Sequence, residues 1–192
     1  MLGDNGIRIK ENIIMNKLLV VIDMQNDFID GVLGSPEAQA IVPKVVERVE
    51  QAIKKGERIV FTKDTHYALA YAKSEEGAHL PIPHCIFPTS GWHIHDALRD
   101  YAQITQTVWK YTFGYDWGDI QEDFDNGDVN EIEIVGLDTD FCVLANAMTL
   151  KSAFPNAHIV INAECCAGST PEWHEKALDM LEHCHCEIIN RK

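Results

Sequence analysis

Asp23 in DMQNDF, Lys110 after TQTVW and Cys142 in GLDTDFC are a carboxylate, an ammonium and a thiol spread over a chain of 192 residues. Brought together they could carry out acyl transfer: the carboxylate takes the thiol proton, while the ammonium keeps that carboxylate ionised and stabilises the thiolate. A second group, Asp64 and His66 in KDTH with His84 in PHC, offers one oxygen and two imidazole nitrogens. That donor set suits a divalent ion, zinc first, with iron and manganese as alternatives, and Glu75 or Glu76 could complete it directly or through water. His79 is a competing ligand. Each residue alone has a plainer reading: Asp23 as an Asx turn, Lys110 as a solvated strand end, Cys142 as a small buried side chain, the histidines as satisfied loop groups. What lifts them above it is where the chain must put them.

Runs rich in Val and Ile alternate with stretches of helical spacing, the pattern of parallel strands joined by helices. Six strands are expected, at residues 17–22, 57–62, 104–110, 131–136, 157–162 and 185–190. The first, second, fourth and fifth are nearly continuous apolar segments, as strands covered on both sheet faces are. The fold class is therefore α/β, a six-stranded, mostly parallel sheet with helices on both faces, forming a three-layer sandwich. Ser35 caps and Pro36 opens a helix that Gly56 ends, with Ile41, Val42, Val45, Val46, Val49 and Ile53 turned to the sheet. Two further helices are expected, one from Thr139 to Ala153, stopped by Pro155, and one from Thr170 and Pro171 to about His183. Open parallel sheets bind ligands beyond the carboxyl ends of their strands. Asp23, Asp64 with His66, Lys110 and Cys142 each follow or close such an end, so all should gather on one rim. Cys142 falls in the first turn of its helix, where unpaired N–H groups and the helix dipole are expected to stabilise a thiolate.

Composition narrows the partners. Lys plus Arg number 16 against 30 Asp plus Glu, a formal charge of −14, which argues against nucleic acid because phosphate binding relies on clustered cations. A small molecule is the expected partner. The chain contains no GxGxxG, GxxxxGK[ST] or GxSxG, which removes dinucleotide, nucleoside triphosphate and serine-nucleophile readings and leaves the thiol. No apolar run approaches the ~20 residues of a membrane span. The first residues lack the pattern of a secretory leader, so a cytoplasmic location with six free cysteines is expected. Residues 1–14 read as a flexible extension ahead of a single domain over 15–192. The run His183, Cys184, His185, Cys186, read as strand, sends its cysteines and histidines to opposite faces and makes a poor metal site. Cys85, and the pair Cys165 and Cys166 after the fifth strand, read as small buried residues.

With VVIDMQNDF around Asp23, TKDTH at Asp64 and His66, PHC at His84, the strand-end Lys110 and VGLDTDFCV around Cys142, the sequence resembles the isochorismatase-like cysteine hydrolases. Within them it is most similar to the nicotinamidase branch, from about Lys17 onward. The resemblance implies a triad with Cys142 as nucleophile, Asp23 as general base and acid and Lys110 as the orienting cation, and assembly as a homodimer or homotetramer. It also implies a cis peptide between Leu137 and Asp138, an oxyanion hole made by the backbone amides of Asp138 and Cys142, and a metal at Asp64, His66 and His84 with Glu76 beside it. Phe28 matches a pocket aromatic of the family. Pro81 stands where many members carry another, so Tyr111, Phe113, Tyr115 and Trp117 become candidates for that wall. The implied reaction is hydrolysis of a small amide, nicotinamide or a relative, through a thioester. N-carbamoyl or ureido substrates, isochorismatase-type cleavage of a vinyl ether, and a catalytically silent scaffold are the alternatives.

Overall fold

The structure, a computed structural model, describes residues 16–123 and 129–191; the extension expected over 1–14 lies outside them. Six strands form one sheet: β1 Lys17–Ile22, β2 Arg58–Asp64, β3 Gln106–Lys110, β4 Glu131–Leu137, β5 His158–Ala167 and β6 Glu187–Ile189. Their order is β3-β2-β1-β4-β5-β6 and every neighbouring pair is parallel. The four near-continuous apolar segments are the four inner strands, while β3 and β6 close the edges with partly exposed residues, as strands covered on fewer sides do. Chain order reverses where β1 lies between β2 and β4, and ligands of such sheets bind at this reversal, beyond the carboxyl ends of the strands.

Alternation along each strand divides the core in two. Leu18, Val20, Ile22, Ile132 and Ile134 face one layer, with Leu150, Leu178 and Leu181; Leu19, Val21, Phe61 and Val135 face the other, with Ile41, Val45, Val49 and Leu98. Each such side chain fully buried contributes roughly 1.5–3 kcal/mol against exposure, so a one-residue slip of β1 would turn both layers out of register. In chain order the helices are α1 Asn26–Ile29, α2 Pro36–Lys55, α3 Ala68–Tyr71, α4 Glu75–His79, α5 Asp96–Ile104, α6 Gly118–Glu122, α7 Leu144–Ala153 and α8 Pro171–His183. Helix α2 has the expected ends: Ser35 Oγ accepts the Ala38 N–H at 3.0 Å and Gly56 closes it at φ 68°. None of the described helices is long and apolar enough to cross a membrane.

The structure departs from the sequence reading at several boundaries. Ile104 ends α5 and is 74% exposed instead of opening the third strand, and Ile53 is exposed on the far side of α2. Strand β5 runs on through Cys165 and Cys166, because its pairing with β4 steps from Ile134↔Ile161 to Gly136↔Cys166. Both cysteines are buried, one in each layer. In the run from His183 to Cys186, His183 ends α8 and Cys184 and His185 form a turn rather than a strand, with His185 left-handed at φ 66° before the short β6. Near the rim, Gly136 requires a missing side chain: at φ 118°, a Cβ there would overlap the Ile22 carbonyl oxygen. Only glycine lets β4 close against the residue before Asp23.

Candidate active site

Asp23 leaves β1 in a left-handed conformation, φ 46°, and its carboxylate is wholly buried. Thr62 of β2 holds it from the side: the Thr62 hydroxyl donates to Asp23 Oδ1 at 2.6 Å and accepts the Asp23 N–H at 3.1 Å. Lys110, the last residue of β3, extends its ammonium beneath the rim to a point 2.7 Å from Asp23 Oδ2, 3.3 Å from Cys142 Sγ and 3.2 Å from Asp64 Oδ1. The Thr112 carbonyl accepts from the same nitrogen at 3.2 Å. Three residues from distant stretches thus meet at one buried cation, as their strand-end positions require.

Cys142 sits in a turn of π-helix, Thr139–Val143, that precedes α7; the Val143 N–H reaches back to the Asp138 carbonyl at 3.0 Å. The peptide between Leu137 and Asp138 is cis. Complete burial raises the Cys142 thiol well above its ordinary range; Lys110 opposes this, and Asp23 and Asp64 add to it. Burial therefore works against the thiolate that a helix start favours, and the sulfur lies within hydrogen-bond reach of Asp23. Asp23 is itself raised, by burial first, against the pull of Lys110, which makes it a stronger base than an ordinary carboxylate. Asp138 is pushed up to about 7, by burial first and then by Asp140 and Asp23.

Beside the triad, ligand atoms of Asp64, His66, Glu76 and His84 lie within 4.8 Å of one another. His66 Nε2 is 2.9 Å from Asp64 Oδ2 and 3.6 Å from Glu76 Oε1; His84 Nε2 is 3.5 and 3.4 Å from the same two oxygens. The donor set fits a divalent ion on two counts. His66 Nε2 is buried yet satisfies no hydrogen-bond geometry despite the nearby carboxylate. His84 Nδ1 bonds the Ile82 carbonyl at 2.9 Å, so in the neutral imidazole the proton sits on Nδ1 and the Nε2 lone pair is the one that faces the cluster. Burial opposes charging of His84, but Asp64 and Glu76 raise it to about 10; bound protons occupy the role a metal cation would take. Glu76 is a direct member of the cluster, whereas the alternatives Glu75 and His79 are exposed and pair with each other outside it.

Of the pocket aromatics, Phe28 is buried with its ring 5.5 Å from His84. Tyr111 and Phe113 are exposed, and Phe113 pairs with Phe141 at 5.4 Å. Trp117 is a core residue, 1% exposed, with its ring against Tyr115.

Residues 17–192 match the sequence model of the isochorismatase domain. The chain belongs to the isochorismatase family. It is 26% identical to the nicotinamidase/pyrazinamidase of Mycobacterium tuberculosis, over 90% of this chain and 98% of that one. Among solved structures it resembles the nicotinamidase PncA of Bacillus subtilis, with TM-score 0.77, 26% identity and coverage of 91% and 99%. It also resembles the pyrazinamidase of Pyrococcus horikoshii in complex with zinc, with TM-score 0.75, 26% identity and coverage of 92% and 99%.

Several residues that fix this isochorismatase-family site carry no signal in the sequence. Gln25 is fully buried: its Nε2 donates to the carbonyls of Asp64 at 2.9 Å and Trp92 at 2.8 Å, and its Oε1 accepts the Asp64 N–H at 2.7 Å. Asp27 accepts the Cys85 N–H at 2.7 Å and so holds the His84 loop. Asn146 donates to the carbonyls of Cys142 at 2.8 Å and Phe113 at 2.9 Å, tying the π-helical turn to the loop after Lys110. Tyr71 covers the metal cluster, its ring 4.8 Å from His66 and 5.2 Å from His84. The nearest available hint is the string of polar residues QND that follows Met24 and leads into α1.

Thr62 permits a test with a definite sign. Its hydroxyl lowers Asp23, so Thr62→Val should raise the carboxyl further. Asp23 acts as a base only when ionised, so the acid limb of kcat/KM should move to higher pH, with a stability loss of about 1–3 kcal/mol for the buried acceptor left short of a partner. A pH–rate profile of both proteins reads the shift; an unmoved limb would show that Asp23 does not set it.

Proposed function

We propose that this hydrolase of amide carbon–nitrogen bonds cleaves a small heteroaromatic amide of the nicotinamide class through a thioester on Cys142. The observation that carries the reading is Lys110 Nζ standing 3.3 Å from Cys142 Sγ and 2.7 Å from Asp23 Oδ2. Asp23 takes the thiol proton as sulfur attacks the amide carbonyl carbon. The carbonyl oxygen becomes an oxyanion facing the backbone N–H groups of Asp138 and Cys142, where one donor is commonly worth about 3 kcal/mol of barrier. Asp23 returns the proton to the leaving nitrogen, the carbon–nitrogen bond breaks, and ammonia departs. Water then attacks the thioester, giving its proton to Asp23 and its oxygen to the acid product, and Cys142 recovers its thiol. Lys110 remains protonated throughout, because Asp23, Cys142 and Asp64 together overcome the cost of burying it.

Asp64, His66, His84 and Glu76 would hold a divalent ion, zinc being the one the donor set suits, and when bound it supplies a Lewis-acid anchor for a substrate ring nitrogen or a water. Phe28 would pack beside such a ring, with Tyr111 and Phe113 at the entrance. Vinyl-ether cleavage gives the buried thiol no task, which weighs against that reading. The site is complete within one chain, and a homodimer or homotetramer in the cytoplasm remains the expected state.

A screen of ammonia release from nicotinamide, pyrazinamide, N-carbamoyl and ureido compounds tests the substrate class. The ring amides should turn over at least about tenfold faster in kcat/KM, the difference expected of one well-made ring contact. Preference for ureido compounds would overturn it.

A further inference from the structure

We propose that the cavity between α5 and strands β2 and β3 binds a small aromatic carboxylate, its charge met by Lys63 and Arg99 and its ring laid against Trp109. The cavity has a volume of about 520 Å³ and is lined by Lys63, His93, Arg99, Gln103, Thr107 and Trp109, among others, with no acidic residue in its wall. That is unusual in a chain carrying 30 acidic residues against 16 basic ones.

Lys63 is the decisive group. It is only 6% exposed and lines this cavity. Among the described residues no carboxylate lies within ion-pair distance of its ammonium, which rests over the Trp92 ring. An ammonium has three N–H donors, and one aromatic face satisfies at most part of that capacity. A buried lysine without an anion is unfavourable unless something in the cavity supplies one. Arg99 lies on the facing helix, joined to Asp96 of the same helix on an exposed surface where such pairs exchange freely.

The ring requirement comes from the other wall. Trp109 is 40% exposed and stands edge-on to Trp92 at 4.9 Å, with Phe87 packed behind both at 5.4 and 4.8 Å. This backing holds the indole as a rigid plane beside the cations, and a flat ligand gains by covering it. The location adds consequence. Lys63 pairs in register with Trp109, and Asp64 with Lys110, on the same two strands; successive residues of a strand point to opposite faces. A ligand in the cavity would therefore press on the two strand ends whose other side carries the catalytic lysine and a candidate metal ligand.

Titration of the full-length protein with benzoate, followed by tryptophan fluorescence, tests this directly, with inorganic phosphate as the ringless anion. Benzoate should quench saturably, Lys63→Met should weaken binding at least tenfold, and Arg99→Gln severalfold, each without loss of amide turnover. Methionine matches the lysine stem in a buried position, and Arg99 is exposed, so the second variant keeps the test alive if the first folds poorly. Undiminished binding by both variants would overturn the proposal. So would loss of binding in Lys110→Met with Lys63 intact, which would put the benzoate in the active site, or phosphate binding as tightly as benzoate, which would leave the ring wall without a role.

Discussion

Cys142→Ala should lower amide turnover by roughly four to six orders of magnitude, the loss seen when the nucleophile of an acyl-transfer site is removed, with the fold intact. The size follows from what would be left. Asp23 and Lys110 would keep their 2.7 Å ion pair, and Lys110 would keep Asp64 and the Thr112 carbonyl, yet no atom would remain that can form a bond to the carbonyl carbon. The structural cost is small, because truncating a cysteine removes one buried sulfur, on the order of 1 kcal/mol. That corresponds to a shift of about 2–4 °C in melting temperature for a chain of this length. Cys142→Ser is the sharper comparison, since it keeps the shape and a proton that Asp23 could take while replacing sulfur by a poorer nucleophile. Ammonia release by each variant, beside its melting curve, decides the matter. Turnover within tenfold of the parent in the alanine variant would mean that water attacks the amide directly, and Cys142 would then be a core residue that happens to touch a lysine.

Much of this site could be read from the chain because its members sit where strand ends must bring them. Asp23, Asp64, Lys110 and Cys142 each follow or close an inner or edge strand whose apolar run is conspicuous, and a parallel sheet admits one rim for all of them. The capped ends of α2 and α8 were equally legible, since Ser35 with Pro36 and Thr170 with Pro171 are local signals. What escaped was of two kinds. Residues such as Gln25, Thr62 and Asn146 act through hydrogen bonds to partners dozens of positions away, and nothing in a polar side chain announces a distant partner. Glu133 is similar: a glutamate within the apolar β4 is buried because Arg48 of α2 meets it at 2.8 Å and Asn162 of β5 donates to it at 3.0 Å. The second kind is electrostatic. A cysteine at a helix start suggests a thiolate, but the burial that brings it against Lys110 also brings two carboxylates, and together these push the thiol's pKa upward.

Asp64 makes the second large prediction, because one carboxylate serves both halves of the site. Its Oδ1 is 3.2 Å from Lys110 Nζ and its Oδ2 is 2.9 Å from His66 Nε2 and 3.5 Å from His84 Nε2. Lys110 and the two imidazoles hold its pKa well below the usual carboxylate range although burial opposes this, so it is an anion at any working pH. Asp64→Asn preserves volume and removes that charge. Lys110 would then answer to Asp23 alone, and the metal cluster would lose its anionic oxygen between the two histidines. Purified parent protein should carry about one divalent ion per chain; the asparagine variant should carry less than about a tenth of that, with activity reduced at least about a thousandfold, beyond the 10–100-fold typical of supporting residues. His84→Ala separates the two roles, since it empties the cluster without touching Lys110. Excess zinc should restore part of the activity of His84→Ala, because the remaining ligands can still gather an ion, and should restore none to Asp64→Asn, whose lysine remains under-compensated. Equal rescue of both would mean that Asp64 serves the metal only, and full metal content in either variant would remove these residues from its coordination.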